Sequence, residues 1–163
     1  MNNKRVSAEE LKVMISEFLK EHKDGSLATC MNNIPRSSPV QYFVGENMSI
    51  YILSAGGEKF NAIAQNPNVC LLINTDYINY RQIKGVQIFG TATTSLMDNV
   101  LYNEAKEYYP DQYVMDNERD LKIIKIVPEE IVYLDSLGDG DRTKQVLRYN
   151  NVIIKEDKEI IYQ

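Results

Sequence analysis

Histidine occurs once in this chain, at His22, and cysteine twice, at Cys30 and Cys70. Neither cysteine stands in a CxxC spacing or beside a histidine, so the ligand set of a tetrahedral zinc site is missing. A Ser-His-Asp centre would have to use His22, and no motif surrounds it. Both cysteines fall in segments that read as strands, where a small buried apolar role competes with that of a catalytic thiol. No apolar run approaches the roughly 20 residues that span a bilayer, and the N-terminus carries no apolar signal segment. The expectation is a cytoplasmic protein without a membrane partner. Charge of one sign never accumulates either. The 23 acidic and 18 basic residues leave a net −5 with no basic arm or acidic tail, which argues against nucleic acid as a partner.

What is present is enough for one globular domain over residues 1–163, with 44% hydrophobic residues to fill its core. The most informative stretch is MSIYILSAGGEKFNAIAQNPNVCLLINT, residues 48–75. Residues 49–54 are β-branched and aromatic, the composition of a buried strand. They run into Ala55-Gly56-Gly57, where glycine turns the backbone cheaply. Residues 58–65 then place Phe60, Ile63 and Ala64 at helical spacing, and Asn66-Pro67-Asn68 ends the helix before the apolar run 69–73. The whole predicts a strand–helix–strand crossover. Its turn offers unpaired N–H groups, the Ser54 hydroxyl and the Lys59 ammonium, a set that suits a phosphate. A capped helix with a solvated lysine would use the same residues.

The rest of the chain reads mostly as strands. Ser7-Ala8-Glu9-Glu10 is a capping box, and Leu11, Met14, Ile15, Phe18 and Leu19 follow on one helical face. His22 closes that helix, where a cation suits the C-terminal dipole. Residues 26–31 and 36–44 predict a hairpin around Asn32-Asn33, and Gly45-Glu46-Asn47 turns into the strand at 49–54. A tyrosine-bearing loop, 76–83, precedes a long strand at 85–96, in which Gly90 marks a bulge or the close approach of another group. Residues 99–109 predict a helix with Leu101, Ala105 and Tyr108 inward. Residues 121–127 and 131–135 read as one strand interrupted at Pro128. The loop 136–143 is rich in glycine and aspartate and fits no phosphate motif. Short strands are expected at 144–149, 152–155 and 159–162, the first two around an Asn150-Asn151 turn. Hairpins dominate, so the predicted fold is mainly β: a closed or split barrel of six or more mostly antiparallel strands with peripheral helices.

The order LAT, turn, RSSPVQY, SIYILSAGGEKFNAIAQNPNVCLLI, VQIFGTA, LKIIKIVPEEIVYLD resembles the pyridoxamine 5'-phosphate oxidase-like FMN-binding split-barrel family. The likeness covers about residues 11–135 and leaves 136–163 as a C-terminal extension. It implies a homodimer with FMN at its interface. By the same resemblance the phosphate cradle comprises Arg36, Ser37 and Ser38, then Leu53 and Ser54, then Lys59. Backbone groups of Pro39, Val40 and Gln41 would follow the isoalloxazine edge, and Gln87 would add an amide. Arg36 and Lys59 are the two cations expected to neutralise the phosphate. The authentic oxidases carry a basic residue before the lysine, where this chain has Glu58. They also carry a C-terminal tryptophan and an Arg-x-His segment, and this chain has neither.

The implied activity is that of a flavin-dependent oxidoreductase acting on a small-molecule acceptor, with no protein acid or base obliged to react. Tyr77, Tyr80 and Arg81 are the expected substrate rim. The alternatives are an FMN-binding or redox-sensing protein without turnover, and a related barrel that takes haem or a deazaflavin.

Overall fold

The computed structural model describes residues 5–117 and 120–157. Helix α1 (Ala8–Glu21) starts where the capping box places it, the Ser7 hydroxyl accepting from the Glu10 N–H at 3.1 Å. It buries Leu11, Ile15, Phe18 and Leu19. Strands β1 (Asp24–Met31) and β2 (Ile34–Val44) form a hairpin in which each strand begins two residues earlier than the sequence pattern marks. Its loop is Asn32-Asn33, both at positive φ (54° and 61°), the conformation a twisted two-residue hairpin demands. A single 3₁₀ turn leads into β3 (Ile50–Ser54), followed by α2 (Glu58–Gln65) and β4 (Asn68–Asn74).

After the loop come β5 (Lys84–Thr94), α3 (Val100–Lys106), α4 (Gln112–Asn117) and β6 (Lys122–Asp135). The hairpin β7 (Lys144–Arg148) and β8 (Asn151–Lys155) completes the described chain. The expected strand at 159–162 lies outside the described residues. The last hairpin turns on Tyr149 and Asn150, one residue earlier than expected, with Tyr149 at φ 56°.

Strand order is β3-β2-β1-β4-β5-β6-β7-β8, every pairing is antiparallel, and β3 also pairs with β6. That extra pairing closes six strands into a barrel, so neither β3 nor β6 leaves an open edge along it. β6 then divides. Residues 122–126 bond to β3 and residues 130–134 bond to β7, which makes the barrel split, with a hairpin extending the sheet on one side. The break occurs at the Phe89/Gly90 register shift, where Gly90 faces Pro128 and Glu129 is the extra residue. A bulge absorbs the proline, so β6 is one continuous strand rather than two pieces.

The glycine–helix unit is the expected crossover, and it spans two strands. β3 and β4 are not neighbours, because β2 and β1 lie between them, and α2 carries the chain past both. α2 buries Phe60, Ala62 and Ile63, while Ala64 is exposed. The main core joins α1, α2 and the inward side chains of the barrel. A second cluster lies on the outer face, where Tyr51, Ala105, Met115 and Ile123 are buried together.

α3 is held to that outer face by Glu104, which accepts from the Tyr51 hydroxyl at 2.6 Å and pairs with Lys125. The Lys125 ammonium, and then the Tyr51 hydroxyl, hold the Glu104 carboxyl below its usual range. A carboxylate depressed in the folded state contributes stability above the unfolded carboxylate pKa and loses it as pH falls through the folded value. We therefore expect the melting-temperature gap between the natural chain and Glu104→Gln to be widest near neutral pH. It should shrink below about pH 4.5, the ordinary value for this group, in thermal melts run from pH 7 to 3.

Candidate functional site

The end of β3 and the start of α2 form a corner built on two glycines. Gly56 (φ 131°) and Gly57 (φ 111°) hold backbone angles that L side chains rarely adopt. The Ser54 hydroxyl folds back over the turn and accepts from the Gly56 N–H at 3.1 Å. Gly57 is the N-cap of α2, and none of the described side chains caps it. The first N–H groups of α2 therefore sit at the positive end of the helix with room for an anion.

Two ammonium groups reach the same corner. Lys59 Nζ donates to the Gly56 carbonyl at 2.7 Å, and Lys122 Nζ donates to the Ala55 carbonyl at 3.0 Å. Lys122 arrives because β3 pairs with β6 in a register that sets Ser54 opposite Lys122. Each cation is tethered to the turn and has no carboxylate partner among the described residues, so its charge stays available to a ligand.

A cavity of about 330 Å³ opens beside this corner, lined by Pro39, Val40 and Gln41 of β2, Leu53, Ser54 and Ala55 of β3, Lys59, and Asp24. The antiparallel registers explain the grouping, for Gln41 faces Leu53 on one side and Asp24 on the other. Six of the ten residues anticipated from the sequence therefore meet in one place. Arg36, Ser37 and Ser38 do not join them, since they lie further along β2 opposite Thr29, Ala28 and Leu27. At about 3.3 Å per residue, Arg36 stands roughly 10 Å beyond Pro39. Lys122, not Arg36, is the second cation of the corner. Gln87 lies apart as well, in a different hollow on β5.

A wider cleft of about 530 Å³ continues from the corner and shares Gln41 and Leu53 with it. Its walls are aromatic. Phe43 stacks on Tyr51 at 5.3 Å and meets Tyr109 at 5.0 Å, while Tyr108 stacks on Tyr51 at 5.7 Å. The end of α1 supplies the opposite rim with Lys20, His22 and Lys23. His22 Nδ1 donates to the Phe18 carbonyl at 2.8 Å and the ring packs on Phe18, so its position is set by the helix end it caps. Sequence reading missed this cleft, because Tyr108 and Tyr109 read as the last turn of a helix, with Tyr108 packed inward, whereas α3 ends at Lys106. The expected substrate rim is elsewhere. Arg81 bonds to the Gly140 carbonyl and to Asp157, and Tyr80 is 80% exposed.

The cysteines take no part. Cys30 and Cys70 are half-buried on β1 and β4, and burial pushes the Cys70 thiol up, away from the reactive thiolate. Among the described residues no group of His, Cys, Asp or Glu is arranged to hold a metal ion. No helix among them is long and apolar enough to cross a membrane.

The fold is an antiparallel split barrel with a lysine-bearing glycine turn at the mouth of a strand cleft. The chain belongs to the pyridoxamine 5'-phosphate oxidase family, whose pattern matches residues 11–135. General stress protein 26 of Bacillus subtilis (strain 168) is 25% identical over 143 residues, which span 85% of this chain and 96% of that protein. The crystal structure of general stress protein 26 from Bacillus anthracis str. Sterne superposes with a TM-score of 0.57 at 24% identity, over 76% of this chain and 93% of its own. More distant barrels of the same fold carry different ligands. A FAD-binding protein from Mesorhizobium loti matches with a TM-score of 0.52 at 16% identity, over 73% of this chain and 90% of its own. A heme binding protein from Mycobacterium smegmatis matches at 0.57 and 16%, over 93% of this chain and 59% of its own.

Proposed function

We propose that this chain is an FMN-binding flavoprotein that works as a flavin-dependent oxidoreductase on a small-molecule acceptor. The observation that carries the reading is the two-cation glycine corner opening directly into an aromatic cleft. The donor set fits the phosphate of FMN: backbone N–H groups at a helix start, the Ser54 hydroxyl, and the Lys59 and Lys122 ammonium groups. Pro39, Val40, Gln41 and Leu53 lie between the corner and the cleft, where they would run beside the ring. FMN, when bound, supplies the hydride chemistry. The protein's part is to anchor the phosphate, to hold backbone donors and acceptors along β2, and to shape the dry wall formed by Phe43, Tyr108 and Tyr109.

The acceptor belongs in that aromatic cleft, next to Gln41 and Leu53, rather than at Tyr77, Tyr80 and Arg81. Pairing of two copies is part of the proposal. Leu72 and Phe89 are 37% and 40% exposed on one outer face of β4 and β5, which supports an interface there. Arg36, Ser37, Ser38 and Gln87 would then reach the ligand only through that assembly.

The test is the visible spectrum of the purified protein, with mass identification of whatever is released on denaturation. We expect one FMN per chain and consumption of a reduced nicotinamide when quinone, nitroaromatic or free-flavin acceptors are supplied. Bound FMN without turnover by any acceptor would leave a flavin-sequestering protein. A released porphyrin would overturn the proposal.

A further inference from the structure

Behind the aromatic cleft a single row of side chains crosses three strands. Phe43 of β2 faces Tyr51 of β3, and Tyr51 faces Lys125 of β6. Phe43 is a wall of the cleft, whereas Tyr51 and Lys125 stand behind it. Tyr51 is only 1% exposed, yet its ring carries two of the walls. Phe43 stacks on it at an interplanar angle of 18° and Tyr108 at 16°. Gly45 leaves room for both contacts, because a Cβ there would stand 2.4 Å from Tyr51 Cε2 and 3.4 Å from Tyr108 Cδ2.

The Tyr51 ring is held in turn by its hydroxyl, which donates to Glu104 of α3 at 2.6 Å. Glu104 also pairs with Lys125, whose ammonium lies 5.8 Å from the centre of the Tyr51 ring. A buried phenol left without a partner costs free energy, so the hydroxyl and the carboxylate keep each other in place. Tyr108 belongs to the same unit. Its N–H donates to the Ala105 carbonyl at the end of α3 at 3.0 Å, and its hydroxyl donates to Glu46 at 3.3 Å.

We infer that Glu104 is a positioning residue for the aromatic cleft, a role that rests on the acceptor binding there. Glu104 lies outside the cleft and acts only through Tyr51. By fixing the hydroxyl it sets the tilt of the ring, and the ring sets Phe43 and Tyr108 as a wall suited to a planar aromatic acceptor. The ion pair with Lys125 does a separate job, holding α3 on the sheet. Substitution separates the two, since glutamine keeps an acceptor for the Tyr51 hydroxyl and loses the charge, while alanine loses both.

Isothermal titration of the full chain with menadione, a planar quinone, provides the test, read beside melting temperature and the near-ultraviolet circular dichroism of the tyrosines. We expect saturable binding by the natural chain and a loss of about fivefold in Glu104→Ala and in Tyr51→Phe, the scale of one hydrogen bond. Glu104→Gln should bind with nearly natural affinity although it melts lower near neutral pH. The tyrosine bands should weaken in Glu104→Ala and persist in Glu104→Gln. Should Glu104→Ala not fold, Tyr51→Phe carries the same expectation. Affinity that follows melting temperature, with Glu104→Gln weakened in proportion, would overturn the inference and leave Glu104 a purely structural residue. Natural affinity in Tyr51→Phe, or no saturable binding by the natural chain, would overturn it as well. FMN is titrated separately: a chain that binds menadione with this order of variants but takes up no FMN would sink the flavin proposal and keep Glu104 in its role.

Discussion

Lys59→Ala is expected to raise the dissociation constant for FMN roughly 10- to 150-fold, the loss of about 1.5–3 kcal/mol that a hydrogen bond to a charged partner contributes. The size of the effect follows from how Lys59 is held. Its ammonium is already tied to the Gly56 carbonyl at 2.7 Å and lies 5.8 Å from the centre of the Phe60 ring. Little side-chain freedom remains to be lost when the phosphate arrives. Fold stability should change little, because Lys59 forms no ion pair among the described residues and Phe60 and Ile63 carry the burial of α2. Flavin fluorescence titrations at several salt concentrations provide the measurement. Affinity in the natural chain should fall with added salt more steeply than in Lys59→Ala, since a cation–phosphate contact is screened. An unchanged dissociation constant in a folded Lys59→Ala protein would remove the phosphate from this corner. Lys122→Ala is expected to show a smaller loss in the same direction, because Lys122 touches only the rim of the turn.

The contrast between Lys59 and Lys122 marks what could be read from the chain before folding. Lys59 belongs to a local pattern of strand, glycine pair and helix start, and local patterns survive in sequence order. The Ser7 capping box, the Asn32-Asn33 turn and the Gly56-Gly57 corner were legible for the same reason. Lys122 comes to the corner through the β3–β6 pairing, a contact between distant segments that propensity and periodicity do not encode. Arg36 took its place in the sequence reading because it precedes the serines of β2. Strand geometry then sets Arg36 beyond the cavity. How far the glycine–helix crossover reaches was hidden for a related reason. Residues 48–75 show that a helix joins two strands, and only the sheet order shows that two other strands lie between them.

Amphipathic spacing was right for α1 and half right for α2, where Ala62 is buried and Ala64 is exposed. One alanine is as small as the other, so the pattern carried no information about which faces the barrel. The aromatic cleft was illegible because it is assembled from β2, β3, the end of α1 and the segment after α3. Each wall comes from a separate stretch of sequence.

Gly90→Ala is expected to be the most damaging single-atom addition to the fold, at about 3 kcal/mol of stability or more. The sequence marked Gly90 as a bulge or a close approach, and it is both. A Cβ built there would lie 2.3 Å from the Val127 carbonyl oxygen, 3.0 Å from its carbon and 3.1 Å from Ile126 Cγ2. The first two are backbone atoms of β6, so no rotamer change relieves the contact. Nor can β6 retreat easily, because residues 122–126 are bonded to β3 on its far side and close the barrel. The added methyl must either lengthen the β5–β6 ladder at the bulge or open the seam. For a domain of this size the loss corresponds to a fall in melting temperature of roughly 6–12 °C. Gly138→Ala is the control, since nothing lies within 4 Å of a Cβ there, and it should melt with the natural chain. Equal melting of Gly90→Ala and Gly138→Ala would mean that β6 can move away from β5 at Pro128, and that the split in the barrel is a flexible joint instead of a closed seam.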